Sequence, residues 1–184
     1  RGIKAWFYNR EARLLQAYEI SMAKAFKFST FVSGDEASMF TSLLPEGLND
    51  KVLGVRNGVD TTYFDPQASF EALDNIADNS VAFTGAMDYW ANVNAVMWFV
   101  QNVWPIILKV DSSAHFYVVG SKPSAEVQAL HGQQNITVTG RVEDVRPYIA
   151  QTKVSVAPLR IARGIQNKVL EALSMAKPIV LSSM

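Results

Sequence analysis

Apolar and polar positions change their rhythm along this chain. Between residues 9 and 27, Leu14, Leu15, Tyr18, Ile20, Met22, Ala25 and Phe26 recur near helical spacing among Arg10, Glu11, Arg13, Glu19 and Lys24, which predicts an amphipathic helix with a solvated face. Residues 29–33 read as a short strand. A helix then opens at Gly34-Asp35-Glu36 and is stopped after about residue 44 by Pro45 and Gly47. Residues 51–56 read as a second short strand, closed by the turn Asn57-Gly58-Val59-Asp60. Residues 61–79 keep no sustained period and include Pro66, Asp74, Asp78 and Asn79, so they read as a linker.

Beyond the linker the pattern becomes regular. Strands are predicted at 81–84, 114–119, 136–139, 154–158 and 178–181. Between them fall helices at 92–109 (with Pro105 inside it), 124–130, 142–150 and 167–175. Near-continuous apolar strands alternating with helices predict an α/β fold, a doubly wound, Rossmann-like parallel sheet covered on both faces with right-handed crossovers. An antiparallel α+β domain would need strands alternating polar with apolar. The reading therefore divides the chain into 1–60, a linker at 61–79, and a Rossmann-like domain over 80–184. A start at Arg1 and an end just past a strand suggest a piece of a longer protein, its last domain incomplete at the C-terminus.

Composition narrows the function. Among 184 residues, 49% are hydrophobic, and 17 basic residues balance 17 acidic ones. That balance provides neither a nucleic-acid-coating surface nor a polybasic membrane patch. With no cysteine, disulfides, thiolate metal sites and cysteine nucleophiles are excluded. The two histidines form no HExxH pair, so no metal is expected. His115, inside a strand, reads as a packed residue, and His131 as a C-terminal helix cap. Apolar runs are too short for a transmembrane segment or a signal peptide.

In a doubly wound sheet, ligands bind beyond the carboxyl ends of the strands. Three predicted strands end in glycine, at Gly85, Gly120 and Gly140, and each permits a sharp turn or a close approach. None belongs to a GxGxxG or Walker A run. The richest stretch runs from Pro158 to Leu173: a loop with Arg160, Arg163 and Gly164, then a helix starting near Gln166 with Lys168 in its first turn and Glu171 three residues on. A helix N-terminus with a lysine beside it suits a diphosphate, and the carboxylate suits the two hydroxyls of a ribose. The same spacing also suits a solvated Lys–Glu pair on an ordinary helix. Of the tryptophans, only Trp90 falls in a loop that could face a cleft; Trp6, Trp98 and Trp104 read as core or interface.

The run Lys168-Val169-Leu170-Glu171-Ala172-Leu173-Ser174-Met175-Ala176-Lys177-Pro178-Ile179-Val180 resembles the donor-site helix and following strand of GT-B glycosyltransferases of the retaining "glycosyl transferases group 1" family. Val55-Arg56-Asn57-Gly58-Val59-Asp60, with Phe64 and Pro66, resembles that family's interdomain segment, and residues 85–99 are similar to bacterial sugar transferases linked to exopolysaccharide export. The resemblance implies a two-domain enzyme that is expected to be cytoplasmic, with a peripheral position at the inner membrane face as the alternative. This chain would hold the end of the acceptor-binding domain and most of the donor-binding one.

Residue by residue, Glu171 matches the second acid of the family's E-x7-E motif, which holds the ribose, while the first acid is replaced by Arg163. The family's Arg and Lys after the first strand are absent from Ala86-Met87-Asp88-Tyr89-Trp90. Arg160, Arg163 and Lys168 are therefore expected to neutralise the diphosphate from the other side of the cleft. Arg141 and Val142, after Gly140, are similar to the family's base-binding segment, although Arg141 better suits a surface pair with Glu143 or Asp144. The implied function is transfer of a sugar from a nucleotide-diphosphate sugar to a glycan or lipid-linked acceptor, without a metal. The acceptor would be bound by a missing N-terminal domain, and no catalytic residue is assigned. The rival readings are a nucleotide-sugar epimerase on the same architecture and a non-catalytic nucleotide-sensing domain. The last strand, as an edge, is a candidate dimer contact.

Overall fold

A computed structural model describes residues 2–73, 76–161 and 164–182. The chain divides into two compact units, residues 1–57 and 58–184. In the first, α1 (Ile3–Ala25) leads into β1 (Ser29–Phe31), α2 (Gly34–Thr41), a 3-10 turn at Asn49–Lys51 and β2 (Val52–Gly54), which pairs in parallel with β1. Helix α1 begins well before residue 9, because no breaker stands between Gly2 and Asn9. Ile3, Trp6, Phe7 and Tyr8 are all exposed, so they add length without adding periodicity. Its far end is closed by the Lys51 ammonium, which donates to the carbonyls of Lys24 and Phe26, each at 3.2 Å. At the start of α2, the Ser33 hydroxyl accepts from the Glu36 amide at 3.2 Å, with Asp35 and Glu36 in the first turn.

The second unit is the expected doubly wound sheet. It comprises β3 (Ser80–Thr84), α3 (Trp90–Asn102), α4 (Trp104–Val110), β4 (His115–Val119), α5 (Ala125–Gln128), β5 (Ile136–Gly140), α6 (Arg146–Gln151), β6 (Val154–Ala157), α7 (Asn167–Ser174) and β7 (Ile179–Leu181). Five parallel strands lie in the order β5-β4-β3-β6-β7. One face presents Phe83, Phe116, Val118 and Val138 to a core that includes Phe99 and Trp104, and the Trp104 Nε1 donates to the Gln134 carbonyl at 2.8 Å. A second cluster joins Ile149 of α6 to Ala172 and Met175 at α7, with Phe64 and Phe70 against it.

Several predicted details are corrected. The helix expected over 92–109 is two helices, bent by 41° at Val103. Pro105 has no N–H to continue the first helix and sits instead in the first turn of α4. The helix expected from residue 142 begins at Arg146, because Asp144 folds back to accept from the Arg146 amide at 2.9 Å. The strands are also less uniformly apolar than their sequence reading: His115, Tyr117, Thr137 and Thr139 alternate with core residues and line a cavity of about 500 Å³. Residues that looked like a linker are fastened to the second unit. Arg146 donates to the Tyr63 carbonyl at 2.9 Å and lies 3.6 Å over the Tyr63 ring, while the Gln151 amide brackets Glu71 and Leu73. No single helix among the described residues is long and apolar enough to cross a membrane.

Candidate functional site

The order β5-β4-β3-β6-β7 fixes where a ligand can enter. After β3 the chain winds outward through β4 to β5, then returns to the other side of β3 as β6. The direction of winding reverses between β3 and β6, and at such a switch point the loops beyond the strand ends diverge and leave a crevice. Gly85 follows β3 there, and the segment after β6 leads into α7.

Lys168 bridges that crevice. From the first turn of α7 its side chain reaches back to the end of β3, where Nζ donates to the Asn92 Oδ1 at 2.7 Å and stands 3.9 Å from the centroid of the Phe83 ring. Asn92, in the first turn of α3 and buried, turns its other end to the preceding loop, with Nδ2 donating to the Ala86 carbonyl at 2.8 Å. Burial disfavours the charged amine and brings its pKa down to about 8, a shift opposed by the carboxylate of Glu171. Glu171, half-buried one turn further along α7, is pushed the opposite way: burial raises its pKa, and Lys168 restrains the rise. Its carboxylate makes no hydrogen bond or ion pair of 4.0 Å or less among the described residues. The amine is thus held by Asn92 in a buried setting, with Glu171 acting on it through its charge.

The glycines have distinct causes. A Cβ on Gly85 would lie 2.8 Å from the Asn92 Nδ2 and 2.9 Å from the Lys168 Nζ, and its φ of +152° disfavours any side chain. A Cβ on Gly120 would stand 1.7 Å from the Gly85 carbonyl oxygen. Gly120 thus exists to let the loop after β4 lie against the loop after β3, where the Gly85 amide donates to the Val119 carbonyl at 3.0 Å and the Met87 amide to the Ser121 carbonyl at 2.8 Å.

Other expected site residues are more dispersed. Gly164 and Gln166 border a cavity of about 220 Å³ with Leu159 and Val169, beside the start of α7. Arg160 is exposed, with its guanidinium 5.7 Å over the Trp98 ring of α3. Arg163 lies outside the described residues. Arg141 and Val142 follow β5, two strand positions from β3 and so about 10 Å away by strand spacing. Arg141 forms no ion pair with Glu143 or Asp144 among the described residues, and Asp144 is taken by Arg146 at 2.7 Å. His131 closes α5 through its backbone, its amide donating to the Gln128 carbonyl at 3.1 Å, while its ring is turned to β5, where Nδ1 accepts from the Val138 amide at 3.2 Å. His115 is packed as expected, stacked on Tyr117 and 2.8 Å from the Thr137 hydroxyl. Trp90 is exposed at the start of α3.

Asn92 and Phe83 are the residues that sequence reasoning did not place in the site. The available signal was a polar residue on the apolar face of a helix, directly after the Gly85 turn.

Residues 78–184 match the model of the family described as "Glycosyl transferases group 1". No curated protein sequence matches the chain. Among solved structures, TarM is similar at 12% identity and a TM-score of 0.66, over 90% of this chain and 31% of its own. HepE of Anabaena, solved in complex with UDP and glucose, shows 14% identity and a TM-score of 0.65 over 90% of this chain and 47% of its own. The pneumococcal O-GlcNAc transferase GtfA, in complex with UDP and GlcNAc, shows 14% identity and a TM-score of 0.63 over 89% and 31%. The chain therefore spans 31–47% of the length of these structures, and at such identities the likeness is one of fold.

Proposed function

The chain belongs to the glycosyl transferases group 1 family, and from that premise we propose that its second unit binds a nucleotide-diphosphate sugar and donates the sugar to a glycan or lipid-linked acceptor. The observation that supports this reading is Lys168, whose amine crosses from α7 to the end of β3 at the switch point, with a half-buried carboxylate one turn on. In this reading the ammonium and the N-terminal turn of α7 face the diphosphate, and Glu171 accepts from the ribose hydroxyls. As the glycosidic bond breaks, negative charge grows on the leaving diphosphate, and cations already in place stabilise that transition state without reorganising. Retention of configuration belongs to the same proposal. So does the use of protein cations rather than a metal in the diphosphate site. The acceptor would be held by parts of the full-length protein outside this chain, so the chain itself is expected to bind donor without transferring sugar.

Calorimetric titration of the chain with UDP-, GDP- and ADP-sugars tests the reading. One of them should bind, and Glu171→Ala should weaken it by about 1.5–3 kcal/mol, the scale of a hydrogen bond to a charged group. Lys168→Met should weaken the nucleotide diphosphate and spare the free nucleoside. Absence of binding by all three, with the fold intact, would overturn the assignment.

A further inference from the structure

We propose that Asn92 is a positioning residue of the donor site: its carboxamide locks the Lys168 ammonium to the turn after β3, and so sets where a diphosphate oxygen can meet that ammonium. The proposal rests on the donor-site reading above, and adds to it a residue with no predicted ligand contact of its own.

The geometry leaves the amide one sensible orientation. Oδ1 faces an obligate donor, the Lys168 Nζ at 2.7 Å, and Nδ2 faces an obligate acceptor, the Ala86 carbonyl at 2.8 Å. Reversing the group would place donor against donor and acceptor against acceptor in a buried setting. Asn92 therefore joins α7 to the Gly85–Ala86 turn through one side chain. An ammonium has three N–H groups. One is committed to Asn92, and the Phe83 ring lies 3.9 Å to one side, so the remaining donors are confined to the crevice side. Gly85 keeps the space open, since a Cβ there would press on both Asn92 and Lys168. A long, flexible lysine is thus given one direction, with its rotamer entropy lost during folding rather than at binding.

The amine's surroundings make the role measurable. Glu171 is the charged group whose field bears on it, while neutral Asn92 of α3 and Phe83 of β3 pack against it. Affinity for inorganic pyrophosphate should accordingly fall as pH rises through about 8, where the free amine loses its proton. Asn92→Asp places a carboxylate against the ammonium. It should raise the midpoint of that fall by at least about one pH unit and weaken pyrophosphate at pH 7 by about tenfold or more, through competition for the same charge. Asn92→Ala removes the lock and should weaken pyrophosphate about tenfold at pH 7, with no upward shift of the midpoint.

The experiment is pyrophosphate titration of the whole chain and of these variants from pH 6.5 to 10, with far-UV circular dichroism to confirm the fold. If Asn92→Ala does not fold, Asn92→Asp alone decides. Lys168→Met separates the two levels. If that variant binds pyrophosphate as the parent does, the donor-site reading fails at this residue. If it loses binding while folded Asn92→Asp keeps both the parent affinity and the parent midpoint, the positioning role is overturned.

Discussion

Replacing Lys168 by Met should change how stability depends on pH more informatively than it changes stability at any one pH. The native environment lowers the amine's pKa from 10.5 to about 8, chiefly by burial. Between those values the unfolded chain holds a proton that the native chain has released, so native stability must rise with pH. The slope reaches about 1.4 kcal/mol per unit, and the total over the interval is about 3 kcal/mol. Below pH 8 the full cost of keeping the ammonium in the crevice is present; above pH 10.5 it is gone. Lys168→Met keeps a stem of similar length with nothing to titrate, so this rise should vanish. At a single pH the comparison is ambiguous, because the variant also loses the bond to Asn92 and the contact with Phe83, which offset the relieved desolvation. Contributions common to the two proteins cancel in the difference. Urea denaturation at unit steps from pH 7 to 11 gives the two curves, and they should diverge upward for the parent by about 3 kcal/mol. Parallel curves would refute the claim that burial depresses this amine. Saturating pyrophosphate should flatten the parent's rise, since a bound anion restores the charged amine.

Further outcomes follow from the same structure. Glu171→Gln should stabilise the chain at pH 7, because burial raises the carboxyl's pKa and the ionised form is disfavoured in the native state. The gain should shrink as pH falls and disappear below about pH 4.5, where both states are protonated, as thermal unfolding across that range would show. Gly120→Ala should cost about 3 kcal/mol or more, since its Cβ would overlap the Gly85 carbonyl oxygen; an unchanged denaturation midpoint would contradict that packing. Asp144→Asn should lower stability at neutral pH, because Arg146 holds the Asp144 carboxyl below its usual range. The deficit should narrow on acidification through that range, which a pH series of unfolding midpoints would reveal.

The sheet was legible because its strands are local objects. Phe83, Phe116, Val118 and Val138 lie on three short strands rich in apolar residues, each ending at a glycine of positive φ. Strand order was less accessible, since all five strands look alike to a periodicity argument and only right-handed winding restricts the choices. The segment before β3 misled for a different reason. Residues 61–73 keep no period, yet Arg146, Gln151 and Ser174 fasten their backbone by hydrogen bonds that leave no rhythm in the sequence. Helix α1 was read too short because its first turns expose aromatic residues around the helix and blur the amphipathic pattern.

The proposed donor site shows the same division between local and distant information. That the first turn of α7 carries a lysine is plain from the sequence; that its amine ends beside Gly85 is not, because its partner Asn92 lies 76 residues earlier. The absence of basic residues at 86–90, set against the family resemblance, read as a charge relocated across the cleft. For Lys168 alone, the fold offers such a relocation a physical route within the proposed reading. At a switch point the strand whose loop would ordinarily bear the cation, β3, is hydrogen-bonded directly to β6, whose following helix brings Lys168 back to it. A charge can thus be supplied from either side of the β3–β6 boundary and meet the same crevice, provided that the receiving side offers an acceptor in place of its own cation. Asn92 is that acceptor. If a diphosphate binds at the crevice, the topology fixes where positive charge is needed, and the sequence decides which strand end supplies it.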